Sequence, residues 1–479
     1  MINMKNYQKI LKEVLKKITP SAEEKRKLSS VARKCMRVAK KESKKFRAKP
    51  IIAGSITRDT WLPGKMEFDI FVLFSPKMTI KQLEKRGLEV GKRIIEKLGG
   101  TYKIDYAQHP YISGTVEGIR IDIVPCFDVK ATEDLKSAVD RTPFHVKYLQ
   151  KNLPLKLSSQ VRLLKQFLTA NKIYGADTKT EGFSGYVCEL LMVKYKSFLN
   201  VLKQAEKWRP GEIIDLENFY TKKDYQKLIR AFAKQVLILI DPTDKNRNTA
   251  AALSAENFFK LKKLAGEFLS SPKEEMFFAK QPELITENEL ISNLLQRKTE
   301  LILVKFTPPN VVPDILWPQL RRFAERLESI LEEVRYEFRV LRRDCYTNEK
   351  DLAVALLEME VSNLPAVQKK IGPEIFDSDD SKRFLEKYKN IAINGPFVES
   401  KNWVVEVQRK FMTAREKLFD SLSVDASILK AKGIPNHIAD QISKGVEIIS
   451  ETDRIMEIVK KDRDFGAFLK RYFKKENLA

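Results

Sequence analysis

Apolar and basic residues alternate with helical spacing over residues 4–48. This spacing predicts two basic amphipathic helices, separated by the Thr-Pro-Ser segment at 19–21. Ser21 followed by Glu24 is the signature of a capping box, which places the start of the second helix directly after Ser21. The basic faces of both helices predict an acidic partner outside them.

From residue 51 the apolar spacing becomes that of short strands, which read IIAGS, EFDIFVLF, YKIDYA, YISGTVE and IRIDIV. One helical stretch, Ile80 to Leu98, separates the second strand from the third. Glu117-Gly118 lies between the last two alternating runs and predicts a tight hairpin, so these strands are expected to be adjacent and antiparallel. The segment therefore predicts a small mixed sheet with helices.

After residue 140 the helical spacing returns. Four helices are predicted, at 158–170, 185–202, 224–239 and 254–269. Beyond Pro272 the pattern predicts strands at 300–306, 334–343 and 350–361, with a helix at 317–333 after the first strand. Strand, helix, strand, strand is a ferredoxin-like order. The last hundred residues are charged and mostly helical in pattern, with a break at the Asn-Gly-Pro segment 394–396.

The predicted fold class is thus α+β and multidomain. A length of 479 residues favours about three domains. The predicted divisions are a mixed-sheet head with helices at 1–150, a central helical domain at 151–272, a ferredoxin-like α+β body at 273–373 and a helical tail at 374–479.

The amino-acid composition predicts the kind of binding partner and the cellular compartment. Lys and Arg number 88 against 64 Asp and Glu, a formal charge of +24, and the first 50 residues alone hold 17 basic and 4 acidic residues. Such an excess predicts a polyanionic partner. The four cysteines show no CxxC spacing, which argues against a disulfide framework or a zinc site and favours a reduced, cytoplasmic compartment. The longest aliphatic run, 236–240, is far short of the roughly 20 residues that span a bilayer, so no membrane is expected.

The candidate chemistry lies in the predicted strands of the head. Alternate side chains of a strand share a face, so Glu67 and Asp69 project together while Phe68 points into the core. Asp122 lies between aliphatic residues of another strand, where an acid needs a functional reason. Three carboxylates could hold two Mg²⁺ ions for a displacement at phosphorus. Asp105 competes with Asp122 as the third ligand, although its strand lacks the same apolar flanks.

Gly54 and Ser55 follow the first predicted strand directly. A glycine lets the backbone approach a phosphate, and Ser55 offers a hydroxyl and an amide, so the pair predicts a triphosphate cradle without a Walker lysine. Glu-x-Asp alone is more typical of an exposed strand face. Its combination with Gly-Ser and a third acid in a separate strand favours the metal site.

With these motifs the sequence resembles the polymerase-beta-like nucleotidyltransferases, and in particular the archaeal-type (class I) CCA-adding enzymes, which are tRNA nucleotidyltransferases. The resemblance is carried by GSITRDTWLPGKMEFDIFVLF, YAQHPYISG, IDIVPCF, RTPFHVKYL, RLLKQFL, IYGAD, GFSGYVCELL and DPTDKNRNTAAALS. It is weakest over residues 370–479.

The resemblance implies a set of site residues. Implied metal ligands are Glu67, Asp69 and Asp122; implied nucleotide contacts are Gly54, Ser55, Arg58, Thr142, His145, Lys165 and Tyr174, with Arg247 reading the base. Each has a structural alternative: Lys165 a solvated helix face, Tyr174 a core-edge aromatic, and Arg247 an ion pair with Asp241 or Asp244. His109 lies either near the primer end or in a structural role, and His437 is interpreted as structural.

The resemblance also implies a function. It implies addition of C, C and A to the 3′ end of tRNA from CTP and ATP, without a template and with release of pyrophosphate, supported by two Mg²⁺ ions. The acceptor stem and T arm of the tRNA would be held mainly by shape. A homodimer is left open. The alternatives are a poly(A) polymerase or an oligoadenylate synthetase, which share the carboxylates, and an RNA-binding protein without activity.

Overall fold

A computed structural model describes residues 4–106, 108–279, 281–333, 336–475 and 477–478. The chain divides into two compact units, residues 1–280 with 477–479 and residues 281–476. The finer divisions expected at 150, 272 and 373 stay a prediction. Within the described residues, no helix combines the length and the apolar character needed to cross a membrane.

The first unit contains nine helices and eight strands within its described residues. They are α1 (Met4–Ile18), α2 (Ala22–Lys44), β1 (Lys49–Ala53), β2 (Glu67–Phe74), α3 (Ile80–Lys97), β3 (Thr101–Tyr106), β4 (Pro110–Val116), β5 (Ile119–Phe127), α4 (Thr142–Asn152), α5 (Ser158–Ala170), α6 (Gly185–Tyr195), α7 (Phe198–Ala205), β6 (Glu212–Ile214), α8 (Tyr225–Ala231), β7 (Leu237–Asp241), β8 (Asp244–Asn248) and α9 (Ala255–Ser270). The Ser21–Glu24 capping box at the start of α2 is confirmed.

A five-stranded mixed sheet forms the head, in the order β1-β2-β5-β4-β3. Strands β2 and β5 are parallel, and the other neighbours are antiparallel. The hairpin predicted at Glu117-Gly118 is confirmed, since both residues have positive φ angles, of 50° and 77°, between antiparallel β4 and β5. Helices α2 and α3 cover one face, where Phe68, Ile70 and Val72 are buried as the alternation predicts.

A second core lies among the helices that follow. Phe167, Phe198, Phe268 and Phe277 form an aromatic cluster, with ring centroids 5.3 to 5.9 Å apart. The first helix of the chain packs into this core rather than onto the head sheet, through Tyr7 and other apolar residues of its inner face.

Two of the predicted helices in this region are wrong in extent. The helix predicted at 185–202 is broken at Lys196, whose φ of 66° ends α6, before Ser197 caps α7. The helix predicted at 224–239 covers only α8, because the buried aliphatic run that follows forms strand β7. That strand pairs with β6 and β8 in a three-stranded sheet. A short aliphatic run is compatible with a buried strand as well as with a helix. Here the segment is a strand because it pairs with two neighbouring strands.

The second unit contains α10 (Glu287–Arg297), β9 (Glu300–Phe306), α11 (Pro313–Leu331), β10 (Arg339–Thr347), β11 (Ala353–Val361), β12 (Val367–Glu374), α12 (Ser378–Tyr388), β13 (Ala392–Glu399), β14 (Asn402–Gln408), α13 (Ala414–Leu422), α14 (Ala426–Ala431), α15 (Asn436–Ile442), β15 (Glu447–Ile449), α16 (Thr452–Lys461) and α17 (Arg463–Phe473). The strand predicted at 334–343 begins at residue 339, and 334–335 lie outside the described residues.

The main sheet of this unit has the order β10-β11-β9-β15, with every neighbouring pair antiparallel. Across the sheet, the neighbouring strands are therefore the second, third, first and fourth of this unit's sheet in chain order. This is the ferredoxin-like arrangement that the pattern predicted. Helix α11 packs on one face of this sheet, and α10, α16 and α17 pack on the other.

The tail is mostly helical, as predicted, with helices α12 to α17, but it also takes part in a sheet that was not predicted. Residues 367–408 form a three-stranded sheet, in the order β12-β14-β13, where a mostly helical segment was expected. The Asn-Gly-Pro segment at 394–396 does not separate two elements but lies inside β13, where the register with β14 shifts. The apolar residues of these strands do not gather on one buried face, since Val367 and Ile371 of β12 and Ile393 of β13 are exposed, so the pattern of apolar residues does not indicate a sheet here.

Candidate active site

The predicted carboxylates lie on the two parallel strands at the centre of the head sheet. Asp69 of β2 and Asp122 of β5 are paired in register, and Glu67 lies two residues before Asp69 on the same strand. All three therefore share the face opposite α2 and α3. Glu67 is exposed, and the two aspartates are partly buried.

The loop after β1 brings Gly54 against the same carboxylates. Ala53 is the register partner of Asp69, so the chain turns directly beside that side chain. Gly54 has a φ of 86°, and a Cβ atom there would lie 3.2 Å from Asp69 Oδ2, so the turn requires glycine. A short 3₁₀ turn, Ser55–Arg58, follows. The structure thus brings Gly54-Ser55 and the acidic pair together, as the sequence predicted.

Asp122 has two partners on its own side of the sheet. The Ser113 hydroxyl of β4 donates to Asp122 Oδ1 at 2.6 Å. The Arg120 guanidinium donates from Nε to Oδ1 at 3.2 Å and from Nη2 to Oδ2 at 3.0 Å. Arg120 precedes Asp122 by two residues, so the two side chains share a strand face.

Asp69 is in the less favourable electrostatic position. Burial, followed by the charges of Asp122 and Glu67, raises the pKa of Asp69 to about 6, although Arg120 opposes the shift. A carboxylate crowded by two others is a place where a cation would restore the balance of charge.

These oxygen donors fit a hard divalent cation such as Mg²⁺. Within the described residues, no three His, Cys, Asp or Glu side chains are gathered closely enough to enclose a metal ion, and Arg120 pairs with Asp122 instead. Asp105 lies two strands away from Asp122, on β3, and pairs with Lys103 at 3.0 Å. The structure therefore places Asp122, not Asp105, beside Asp69.

Two predicted triphosphate contacts converge on a buried carboxylate that the sequence analysis did not select. Arg58 donates from Nε and Nη2 to Glu189 Oε2, at 3.1 and 2.9 Å. Lys165 Nζ lies 3.6 Å from Glu189 Oε1, to which the Thr60 hydroxyl donates at 2.5 Å. Lys165 is only 4% exposed, so its alternative as a solvated helix residue is wrong.

Glu189 remains ionised by virtue of these partners. Burial alone would raise the pKa of Glu189, but the charges of Lys165 and Arg58 and the Thr60 hydrogen bond together hold it below its ordinary value. Two cations against one carboxylate leave the cluster with a net positive charge.

Tyr174 lies at the edge of the second core and faces the same cluster. Its hydroxyl and Lys165 Nζ both approach Gly185, within 3.1 and 3.7 Å of the position that a Cβ atom would take there. The Lys65 ammonium lies 5.6 Å from the Tyr174 ring centroid. Burial raises the pKa of Tyr174, so its hydroxyl stays protonated at neutral pH and can donate a hydrogen bond.

Two of the remaining predicted contacts, His145 and Arg247, meet at Asp241, the last residue of β7. His145 Nε2 and Arg247 Nη1 each lie 2.8 Å from Asp241 Oδ2. Thr142 is one turn before His145 at the start of α4. The ion pair of Arg247 with Asp241, raised as an alternative, is present, and the Arg247 side chain is still 36% exposed.

The other two histidines lie apart from this cluster. His109 is 5% exposed, and its Nδ1 faces Glu84 Oε1 at 3.2 Å. His437 Nδ1 faces the Gln319 side-chain amide at 2.8 Å in the second unit. Both contacts are compatible with structural roles.

Comparisons with known proteins agree along the whole chain. A nucleotidyltransferase domain matches residues 33–145, the second domain of tRNA nucleotidyltransferases matches 159–278, and the C-terminal domain of CCA-adding enzymes matches 297–451. The CCA-adding enzyme of Methanoregula boonei is 33% identical over 96% of this chain and 94% of its own length. That of Methanocaldococcus jannaschii is 38% identical over 81% of this chain and 85% of its own length. The chain belongs to the class I CCA-adding enzymes.

A solved structure of a cytoplasmic RNA terminal U-transferase is also similar to this CCA-adding enzyme. The two superpose with a TM-score of 0.45 at 15% identity, over 58% of this chain and 99% of the other. The curated relatives, not this superposition, carry the assignment.

Two polar residues beside the predicted side chains, Arg120 and Glu189, were not selected from the sequence, and a third, Asp241, was considered only as an ion-pair partner of Arg247. Arg120 shares the strand alternation that selected Asp122 and could have been found by the same argument. Glu189 is an acid inside the apolar helix α6, and Asp241 ends an aliphatic run. An acid in apolar surroundings was the signal applied to Asp122, and it applies to both.

Proposed function

We propose that this CCA-adding enzyme transfers nucleotides to the 3′ end of tRNA on Glu67, Asp69 and Asp122, with CTP and ATP as donors. The 3′ hydroxyl attacks the α-phosphate in line, and pyrophosphate leaves. The observation that carries this proposal is the register pair of Asp69 and Asp122 on adjacent strands, directly beside the Gly54 turn.

The three carboxylates would hold two Mg²⁺ ions. Bound there, the ions would supply positive charge that activates the attacking hydroxyl and stabilises the leaving oxygen. The raised pKa of Asp69 supports this role, because a carboxylate repelled by two others gains most from a cation. Arg120 would have to share Asp122 with the ion or leave it, since it now donates to both carboxylate oxygens.

The triphosphate would bind between the Gly54-Ser55 turn and the Glu189 cluster. The turn offers close backbone approach and a hydroxyl. Arg58 and Lys165 outnumber Glu189 in charge, and Lys165 lies near Gly185, the first residue of α6, where the helix dipole also favours anions. Thr142, His145 and Tyr174 would add donors to the phosphate oxygens.

Base selection is assigned to Arg247. Its Nη1 donates to Asp241, and its partly exposed planar fork has further donors for the edge of a cytosine or adenine. The tRNA itself would be held at the acceptor stem and T arm, where an A-form helix is read through phosphates and 2′-hydroxyls. The formal charge of +24 supports such phosphate contacts.

The test is a tRNA transcript that ends at the discriminator base, incubated with Mg²⁺ and each nucleotide alone or together, and analysed at single-nucleotide resolution. The proposal expects two additions with CTP, one further addition when ATP is present, and then a stop. A long run of A would favour a poly(A) polymerase instead, and 2′-5′ linked products would favour an oligoadenylate synthetase.

A further inference from the structure

The buried carboxylate at the end of β7 contacts two side chains to which the proposed function gives different tasks. We propose that Asp241 is a positioning residue that couples base recognition by Arg247 to triphosphate binding by His145. The inference rests on the proposed function, since it takes the roles of Arg247 and His145 from it. Its ligand class is a nucleoside triphosphate whose base presents a ring nitrogen that accepts a hydrogen bond on its Watson–Crick edge, as in CTP and ATP.

Both oxygens of Asp241 are occupied, and the residue is fully buried. Oδ2 is shared by His145 Nε2 and Arg247 Nη1, both at 2.8 Å. Oδ1 accepts from the Thr243 amide at 2.9 Å and from its hydroxyl at 2.8 Å, with the Tyr186 hydroxyl at 3.4 Å. A buried carboxylate with this many donors holds one orientation.

The shared oxygen is what couples the two side chains. If the guanidinium shifts when it meets a base, the charge it gives to Oδ2 changes, and the bond from His145 to the same atom changes with it. His145 in turn is stacked on Tyr186, with ring centroids 4.1 Å apart and planes at 22°, so the imidazole has few other positions. A correct base would therefore help to place a donor for the phosphates.

The same hairpin supplies a matched control. Asp244, three residues on, pairs with Arg141 Nη2 at 3.1 Å and is also mostly buried. This pair fixes the hairpin to the start of α4, and among the described residues the Asp244 carboxylate forms no hydrogen bond or ion pair with Arg247 or His145. Loss of the Asp244 carboxylate thus reports what a merely structural ion pair in this hairpin contributes.

The experiment compares Asp241→Asn with Asp244→Asn in the full-length enzyme. Single-turnover kcat/KM is measured for CTP and for UTP on a primer tRNA, and inhibition by pyrophosphate measures the phosphate site without a base. Asp241→Asn is expected to lower the CTP to UTP preference by about 10-fold or more and to weaken pyrophosphate inhibition by a similar factor. Asp244→Asn is expected to change neither by more than about 3-fold, as for a contact away from the nucleotide.

A double change shows whether Asp241 acts through Arg247. In the Arg247→Ala background, Asp241→Asn should leave the CTP to UTP preference unchanged, while pyrophosphate inhibition still weakens. If Asp241→Asn does not fold, Asp241→Glu replaces it in the experiment, because it keeps the charge but displaces it by one methylene. This variant should also lose the preference for CTP over UTP.

Two results would overturn the coupling. One is an Asp241 variant with unchanged CTP to UTP preference; the other is an equal effect in Asp244→Asn, which would make both residues structural. Failure of the proposed function is distinguishable, because Arg247→Ala alone would then keep the full preference for CTP over UTP.

Discussion

Glu189 offers the sharpest test of the energetics of the site. Its carboxylate is 2% exposed and contacts two cations that are themselves buried, Arg58 and Lys165. Glu189→Gln preserves the shape of the side chain and an acceptor for the Thr60 hydroxyl, but it removes the negative charge. We expect a large loss of stability in the first unit.

The magnitude follows from what remains buried. Removal of one partner from a buried ion pair costs about 3–5 kcal/mol, because the other charge is left uncompensated. In a unit of this size, each kcal/mol lowers the melting temperature by about 2–4 °C, which predicts a decrease of about 6–20 °C. Lys165→Met in the same chain should recover part of this loss, since it removes one of the two uncompensated cations.

Calorimetry of the full chain would measure this, with the transition of the first unit compared between variants. Glu13→Gln is the matched control, since Glu13 pairs with Lys16 at 2.8 Å on the exposed side of α1, where solvent screens such a pair and it contributes little to stability. A melting temperature for Glu189→Gln within 2 °C of the unchanged protein, together with no recovery in the double variant, would refute the reasoning.

The loss of stability in Glu189→Gln should depend on pH, in a direction that follows from the pKa of Glu189. The pKa of Glu189 is lowered in the folded protein, so its stabilisation is present above the unfolded pKa, about 4.3, and is lost as the pH falls through the folded value. The difference in stability between the unchanged protein and Glu189→Gln should therefore be largest near neutral pH and should shrink below pH 4.

Three further predictions concern the carboxylates and the charge. Asp122→Ala should abolish nucleotide addition in the tRNA extension assay without loss of folding, whereas Asp105→Ala should retain it; the reverse result would move the third ligand to Asp105. The pKa of Asp69 is raised to about 6 in the folded protein, so the folded state becomes less stable as the pH rises through 6 and this side chain ionises. With a chelator present, Asp69→Asn should therefore have a higher melting temperature than the unchanged protein at pH 7.5 and the same melting temperature at pH 4. Filter binding should show tRNA affinity falling with a log–log salt slope of about −4, and a slope shallower than about −1 would contradict the phosphate contacts.

The strand alternation of the head was sufficient to predict its sheet and its acidic face. Glu67 and Asp69 lie opposite the buried Phe68, and the Glu117-Gly118 hairpin joins antiparallel strands, because both signals are local and have one structural solution. The pairing of Asp69 with Asp122 needed the sheet order, which sequence spacing alone does not contain.

What was missed depends on contacts between distant segments. The aliphatic run at 237–241 becomes a strand only because 212–214 and 244–248 pair with it. The roles of Glu189 and Asp241 depend on side chains 131 and 96 residues away in sequence, Arg58 and His145. Local pattern marks such residues as unusual but does not identify their partners.

Helix α1 has a consequence for the order in which the chain is made. The hydroxyl of Tyr7 donates to the carbonyl of Leu269, 262 residues away, so the helix emerges from the ribosome long before its partner. Synthesis proceeds at about 5–20 residues per second, which leaves the apolar face of α1 without its native contacts for roughly 13–50 seconds. Apolar surface that is exposed during synthesis favours aggregation, so this face needs protection until residue 269 has been made. Fragments cut after the head would carry α1 without the core it packs into, and fragments of the helical region alone would keep that core but lack the helix that covers part of it.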